Sequence, residues 1–199
     1  MQVTSEMVKE LRDRTGAPMM DCKRALAEVE GDLDQAVDVL RKLGVASAAK
    51  RSGRHAGEGV VGSYIHAGGR IGVLLEVNCE TDFVARTDDF QELVKDISMH
   101  IAAADPRFVK RDEVTSEILS SEKEIYRQQT IDSGKPENVL DRIVDGKMEK
   151  FFSEAVLLEQ PFVKNPDVTI EELVAEKIGK LGENIQVRRF ARFRVGDDG

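Results

Sequence analysis

The sequence predicts a mixed fold, in which several α-helices accompany a small number of β-strands. Apolar residues recur at helical spacing over residues 4–44, which indicates short amphipathic helices. Residues 59–78 alternate or run apolar around a Gly-Gly pair, a pattern typical of a β-hairpin. Residues 185–195 alternate with a period of two, which predicts another strand.

Length, charge and cysteine content narrow the classes of protein to consider. The 199 residues, 41% of them hydrophobic, suffice for one medium domain or for a small and a larger one. A formal net charge of −8 argues against a protein that wraps nucleic acid over its whole surface. No apolar run approaches about 20 residues, so we expect no bilayer-spanning segment. The acid-bearing N-terminus is unlike a signal or transit peptide, and two cysteines fit a reducing cytoplasm.

No pattern typical of a metal site, a cofactor site or a catalytic centre is evident. No CxxC, HxxxH or HExxH motif lies near the three histidines, and neither a Walker-type nor a GxGxxG loop is present. Cys22 shares a helical face with apolar residues, which predicts a core position. Cys79 has no evident base beside it. We therefore predict no metal, no cofactor and no catalytic chemistry by the chain's own side chains.

Residues 1–45 are predicted to form a small domain of three short helices. Thr4 or Ser5 can cap the first helix, and Pro18 suits the first turn of the second. Asp32 with Gln35 resembles a capping box for the third. A core this small is marginal alone, which favours a peripheral binding module.

Residues 46–58 are predicted to be a linker, because Ala, Ser and Gly dominate them and the first part can continue the preceding helix. Lys50, Arg51 and Arg54 lie there with no acid among them until Glu58. The favoured interpretation is a solvated hinge. The alternative is a basic patch that binds RNA or the acidic surface of a partner.

The core domain is predicted to span residues 59–199. After the β-hairpin, an amphipathic helix begins at Asp88 or Asp89. Two further helical patterns, broken by Gly134 and Pro136, indicate an antiparallel helical hairpin at about residues 116–156. Another helix is expected before the arginine-rich last strand. Its arginines can contact RNA, but in an acidic protein ion pairs within the fold are favoured.

A polar turn with the sequence NCETDFVAR joins a predicted strand to a predicted helix and carries a large phenyl ring, Phe83. The ring either folds into the core or stands out as an anchor for another molecule, and the residues alone favour the core. They likewise favour core positions for Met19 and Met20, at the junction of the first two helices, and a solvated His66 beside the hairpin turn.

Six blocks in order resemble bacterial translation elongation factor Ts, over about residues 3 to 195: VKELRDRTGAPMMDCKRAL (8–26), LEVNCETDFVAR (75–86), MHIAA (99–103), SGKP (133–136), QPFVKNP (160–166) and GENIQVRRF (182–190). The resemblance implies a nucleotide-exchange factor that binds elongation factor Tu and speeds the release of GDP. It implies an α+β fold: an N-terminal module similar to ubiquitin-associated (UBA) domains that binds the partner's G domain, and a core with a small antiparallel sheet. The predicted helical hairpin resembles the family's protruding coiled coil.

The resemblance also implies roles for particular residues. It places Thr81, Asp82, Phe83 and Val84 against the G domain of the partner, near the Mg²⁺ site of the nucleotide. A phenyl ring buried there can favour a partner conformation with broken Mg²⁺ ligation, and Asp82 can help by hydrogen bonding or by repelling acidic groups. Arg12, Met19 and Met20 match the family's N-terminal contact motif. His66 matches a hairpin position that touches a further domain of the partner.

The chain resembles the short form of the family, in which one sheet-forming half of the core is missing. We expect a second copy to supply it, giving a homodimer that binds two partner molecules in the cytoplasm. Some short-form relatives carry a cysteine where this chain has Ala191, so an intersubunit disulfide is not available here. Two other functions are weighed against exchange: an RNA-binding, ribosome-associated protein using the arginines, and a UBA-type adaptor, which leaves the core unexplained. We expect no direct contact with nucleic acid and no contact with a membrane.

Overall fold

The computed structural model describes residues 3–197 and has an α+β fold. The elements follow one another along the chain in this order: α1 (Ser5–Thr15), α2 (Met19–Glu28), α3 (Leu33–Arg51), β1 (Glu58–Ile65), β2 (Ile71–Cys79), α4 (Asp82–Ala85), α5 (Asp88–Ala104), α6 (Ser116–Asp132), α7 (Leu140–Ala155), β3 (Pro161–Phe162), β4 (Asn165–Thr169), α8 (Ile170–Leu181) and β5 (Gln186–Arg194). Short 3₁₀ turns lie at Arg111–Glu113, Glu137–Val139 and Leu157–Glu159. None of the helices within residues 3–197 combines the length and the apolar character that a membrane crossing needs.

Two small sheets accompany the helices. Strands β1, β2 and β5 form a three-stranded sheet in the order β1-β2-β5, and β3 pairs antiparallel with β4. The turn between β1 and β2 contains the predicted Gly-Gly pair, and both glycines adopt positive φ angles, 90° at Gly68 and 69° at Gly69. The amide of His66 donates to the carbonyl of Ile71 over 2.9 Å and closes this hairpin.

The described residues divide into two compact units: 3–62, 75–96 and 171–188 form the first, and 63–74, 97–170 and 189–197 form the second. In the first unit, the caps predicted for α1 and α3 are present. Thr4 Oγ1 accepts from the amide of Met7 (3.3 Å), and Asp32 Oδ1 accepts from that of Gln35 (2.9 Å). The three helices enclose a small core that includes Cys22, as its helical face predicts: Val8, Leu11, Cys22, Ala25, Leu26 and Ala36.

Helix α3 extends beyond the predicted domain boundary at residue 45. It continues to Arg51 and packs against α8. The two helices cross at Gly44 and Gly179, where a Cβ on Gly179 would lie 3.7 Å from Gly44 Cα. A Cβ on Gly44 would lie 3.5 Å from the carbonyl oxygen of Ala175. Past the crossing, Arg51 Nε donates to the carbonyl of Gly182 over 3.0 Å. Part of the predicted linker therefore belongs to a helix that is tied to α8.

In the second unit, α6 and α7 pack together as a helical hairpin. Thr115 Oγ1 caps α6 by accepting from the amide of Ile118 over 3.4 Å. Arg111 reaches α7, with its Nη2 2.6 Å from Glu149 Oε2, and also pairs with Glu159. The buried residues beneath are Val114, Val144, Met148, Phe151, Ala155 and Val156.

Two polar side chains of the second unit lie near the end of α5, Arg192 mostly buried and His100 completely so. Arg192 of β5 donates to the carbonyl of Ala102 over 3.3 Å and pairs with Asp105 over 3.0 Å, so it neutralises the carboxyl end of that helix. This confirms, for Arg192, the expectation that the last strand's arginines make ion pairs within the fold.

The imidazole of His100 is completely buried and held by two hydrogen bonds. Its Nδ1 accepts from the amide of Val163 over 3.3 Å, so Nε2 carries the proton and donates to Gln160 Oε1 over 2.8 Å. Burial lowers the pKa of His100 below its ordinary value of 6.5, because a charged ring would lose its hydration. The fold therefore binds His100 as the neutral ring.

We expect the free energy of unfolding to fall as the pH drops below about 6.5. In that window the unfolded chain takes up a proton at His100 and the folded chain does not, so protonation favours unfolding until the lower folded pKa is passed. Urea unfolding followed by far-UV circular dichroism between pH 7.5 and 5.5 measures the slope. His100→Gln should show a shallower slope, and an identical slope in parent and variant would contradict the assignment.

Candidate functional site

The candidate site is the TDFV turn (residues 81–84), which follows β2 and begins the one-turn helix α4. Thr81 Oγ1 accepts from the amide of Val84 over 3.4 Å and caps α4. Thr87 Oγ1 accepts from the amide of Phe90 over 3.3 Å at the start of α5, and donates to the carbonyl of Val84 over 2.8 Å. Two hydroxyl side chains therefore fix the chain on both sides of Phe83.

Phe83 is 77% exposed, although the residues around it are anchored in the core. Cys79 before the ring and Ala85 after it are buried, and they hold the two ends of the segment that presents it. Full burial of a phenyl ring stabilises a protein by about 1.5–3 kcal/mol, so an ordered ring left in water is typical of a docking residue. The interpretation of Phe83 as an ordinary core residue, which the residues alone favoured, is wrong.

The charge of Asp82 is paired within the turn. Its Oδ2 lies 2.7 Å from Arg86 Nη2, four residues further along the chain. Both side chains remain largely in water, so the pair contributes little to stability. A partner that approaches the turn therefore meets a neutralised Asp82 unless Arg86 moves away.

Glu183, in the loop between α8 and β5, holds the start of the turn by three hydrogen bonds. Its Oε2 accepts from the amides of Glu80 (3.1 Å) and Thr81 (3.0 Å), and its Oε1 accepts from Thr81 Oγ1 (2.6 Å). In return, Glu80 Oε1 accepts from the amide of Asn184 over 2.6 Å. Sequence reasoning missed these residues, since about a hundred positions separate the two segments and only the GENIQVRRF block drew attention to them.

The predicted N-terminal contact residues lie at the junction of α1 and α2, in the first unit. Met19 and Met20 are 54% and 72% exposed, so the core position that periodicity favoured for them is wrong. Arg12, in the last turn of α1, is also exposed. These three residues share with the TDFV turn the property of lying on the surface of one compact unit.

Lys180 links this junction to the helix that follows the TDFV turn. Its Nζ would lie 3.0 Å from a Cβ on Gly16, and it pairs with Asp89 Oδ1 over 2.6 Å. Lys177 lies 3.3 Å from the same oxygen. The hydrogen bond from Lys180 is the main cause of a lowered pKa at Asp89, so the carboxylate stays charged. The ammonium group that pairs with the first turn of α5 therefore lies close to the α1–α2 junction.

His66 belongs to the second unit and lies at the end of β1. It is exposed, and its Nδ1 is 3.2 Å from the hydroxyl of Tyr64. The two rings lie 6.1 Å apart between centroids. His66 is exposed, as both a solvated histidine and a partner contact require, and its role in binding stays a prediction.

Within residues 3–197, no group of three or more His, Cys, Asp or Glu side chains is arranged to hold a metal ion. Both cysteines are buried, and burial raises the pKa of each thiol. Cys79 donates from Sγ to the carbonyl of Thr81 over 3.1 Å, so it supports the turn from beneath. The exposed groups of the turn are the Phe83 ring and the Asp82–Arg86 ion pair.

Comparison with known proteins agrees with the motifs. The family model described as elongation factor TS matches residues 5–197. Elongation factor Ts of Carboxydothermus hydrogenoformans is 59% identical over 195 residues, which cover 98% of this chain and 90% of that protein. The proteins of that name from Koribacter versatilis and Geobacter sulfurreducens are each 59% identical, over 100% and 99% of this chain and 91% of their own length. The chain therefore belongs to the elongation factor Ts family.

Proposed function

We propose that this protein is a guanine-nucleotide exchange factor for elongation factor Tu in the cytoplasm. It binds the GDP-bound and the nucleotide-free partner, displaces Mg²⁺ and promotes the release of GDP. The observation that carries this proposal is the 77% exposed Phe83, presented by a capped turn in a chain of this family. An exchange factor of this kind alters its partner's conformation and needs no catalytic chemistry of its own.

The TDFV turn acts on the partner's cation site. Phe83 enters an apolar pocket of the G domain, and its burial supplies about 1.5–3 kcal/mol toward a conformation in which Mg²⁺ ligation is broken. Mg²⁺ demands near-ideal octahedral oxygen geometry, so a small displacement of its ligands weakens binding disproportionately. Without the ion, the phosphates of GDP lose a major counter-charge. Asp82 assists this displacement by hydrogen bonding or by repelling acidic groups of the partner, once Arg86 has moved away from it.

Thermodynamic linkage fixes how the two ligands of the partner affect each other. The factor by which this protein lowers the partner's affinity for GDP equals the factor by which GDP lowers its affinity for this protein. A factor that bound both states of the partner equally would shift nothing. Phe83 must therefore contact the open conformation better than the closed one.

Docking elsewhere supplies affinity. Residues 1–45 form a UBA-like domain that binds the G domain through Arg12, Met19 and Met20, and flexible thioethers suit such an adaptable apolar contact. His66, at the tip of the β1–β2 hairpin, contacts a further domain of the partner. The core of residues 59–199, reached through residues 46–58, carries the hairpin and the TDFV turn.

A homodimer completes the core. Within the second unit, neighbouring strands of the sheet expose large apolar side chains: Ile65 at 66%, Leu74 at 49% and Phe193 at 67%. A second copy of the chain is the occupant implied by the short form of the family, giving a complex of two factors with two partners. Ala191 is exposed on the same strand as Phe193 and offers no thiol for an intersubunit disulfide, so this interface is non-covalent.

Three of the arginines invoked for RNA binding are engaged within the fold. Arg51 is committed to the carbonyl of Gly182, and Arg54 lies 3.5 Å from Glu80. Arg192 pairs with Asp105. Guanidinium groups that hold the fold together are poorly placed to neutralise phosphates.

Phe83→Ala should slow GDP release from elongation factor Tu by about tenfold to a hundredfold, since the lost burial is about 1.5–3 kcal/mol. The exposed ring is not part of the protein's hydrophobic core, so the free energy of unfolding should not change. Stopped-flow release of a fluorescent GDP measures the rate. Val163→Ala, which truncates another exposed apolar residue, is the matched control, and a variant as fast as the parent would refute the role of Phe83.

Met20→Ala should raise the concentration of factor that gives half-maximal exchange by about fivefold to thirtyfold and leave the maximal rate close to that of the parent. The side chain docks the partner and does not reach its cation site. The dependence of GDP release on factor concentration separates the two quantities. Glu28→Ala, at the opposite end of α2, should change neither, and a lower maximal rate for Met20→Ala would contradict a pure docking role.

Phe193→Glu should convert the protein to a monomer, because a carboxylate placed in an apolar interface between two copies loses its hydration. Sedimentation equilibrium should give twice the chain mass of 22.1 kDa for the parent and the single mass for the variant. Val163→Glu places the same charge outside the sheet and should remain dimeric. A monomeric parent would exclude this interface.

A further inference from the structure

The carboxylate of Glu183 accepts from two backbone amides for which neither β2 nor α4 supplies an acceptor. The amides of Glu80 and Thr81 come after the end of β2, and at the N-cap of α4 they precede its hydrogen-bonded turn. Both donate to Glu183 Oε2, over 3.1 and 3.0 Å. Such charge-assisted bonds are stronger than neutral ones, and a half-buried amide left without an acceptor is costly.

The second oxygen of Glu183 controls the cap of α4. Thr81 has one hydroxyl proton, and it donates that proton to Glu183 Oε1 over 2.6 Å. Its oxygen is thereby left to accept from the amide of Val84 over 3.4 Å. The rotamer that caps the turn is thus the rotamer that Glu183 selects.

Glu183 itself is presented from a fixed segment. The next residue, Asn184, is 1% exposed and donates from its amide to Glu80 Oε1 over 2.6 Å. Its side chain donates to the carbonyls of Arg54 over 2.8 Å and Ser52 over 3.4 Å. The segment after α8 therefore joins the chain beyond α3 to the TDFV turn.

We propose that Glu183 is a positioning residue for nucleotide exchange, acting through Phe83. The inference rests on the proposed exchange function. Phe83 stands in water and has few contacts to hold it, so its placement depends on the turn that carries it. Without Glu183 the turn must be ordered during binding, and that cost falls on the step in which the ring displaces the Mg²⁺ ligands. Docking through Met19 and Met20 does not pass through this step.

A double-mutant cycle with Glu183→Ala and Phe83→Ala tests the inference by stopped-flow release of fluorescent GDP from elongation factor Tu. Alone, Glu183→Ala should lower the maximal rate about tenfold and change the half-saturating concentration less than about threefold. In the Phe83→Ala background it should have no further effect, because the ring that it positions is gone. Glu171→Ala removes an exposed carboxylate from the first turn of α8 and should leave the rate unchanged.

Conservative variants and hydrogen exchange keep the test independent of stability. Glu183→Gln should retain most of the rate, since an amide oxygen can still accept from both backbone amides. Thr81→Val removes the hydroxyl that donates to Glu183 Oε1 and should reproduce the loss. Amide hydrogen exchange at residues 80 and 81 should quicken in Glu183→Ala and stay slow in Glu183→Gln.

The possible outcomes separate the two proposals. If Phe83→Ala slows exchange and Glu183→Ala does not, or if their effects multiply, the positioning role is wrong and the exchange function stands. If Phe83→Ala exchanges GDP as fast as the parent, the role of the ring fails and the role of Glu183 fails with it. Full coupling between the two substitutions, with exposed amides at residues 80 and 81, establishes the positioning role.

Discussion

The hydrogen bonds between Glu183 and the TDFV turn are the constraint on which the exposed site depends. A polar turn after a strand has amides that neither the sheet nor the following helix can satisfy. Here one carboxylate accepts from two of them and from the hydroxyl that caps α4. An aromatic side chain can then stand in solvent in a defined place, because the backbone beneath it is held by partners other than the ring.

The first unit brings the candidate contact residues of the N-terminal helices and of the TDFV turn into one compact body. Lys180 lies beside the α1–α2 junction and pairs with Asp89 at the start of α5. Partner-binding groups on a common rigid support lose less freedom on association than groups on independent domains. The domain boundary at residue 45 remains a prediction from the sequence pattern. In the structure, α3 runs across that boundary and packs on α8.

Local signals were sufficient for the caps, the hairpin and most helices. Thr4, Asp32 and the Gly-Gly pair act within a few residues of their own position, so their patterns are visible in sequence. Helix α4 is a single turn, too short for any periodicity, and β3 and β4 span only two and five residues. The exposure of Phe83 ran against the pattern of its residues, and the family resemblance alone favoured it. The role of Glu183 was out of reach, because no spacing rule connects a loop after α8 to a turn after β2.

The crossing of α3 and α8 at two glycines has a thermodynamic consequence. A glycine inside a helix costs about 1 kcal/mol relative to alanine, so each helix is weakened at its point of contact. The backbones approach closely enough at Gly44 and Gly179 for dispersion attraction to offset that loss, and only while both helices are present. The latter half of α3 therefore depends on α8 for part of its stability, which couples the melting of that half to the melting of α8.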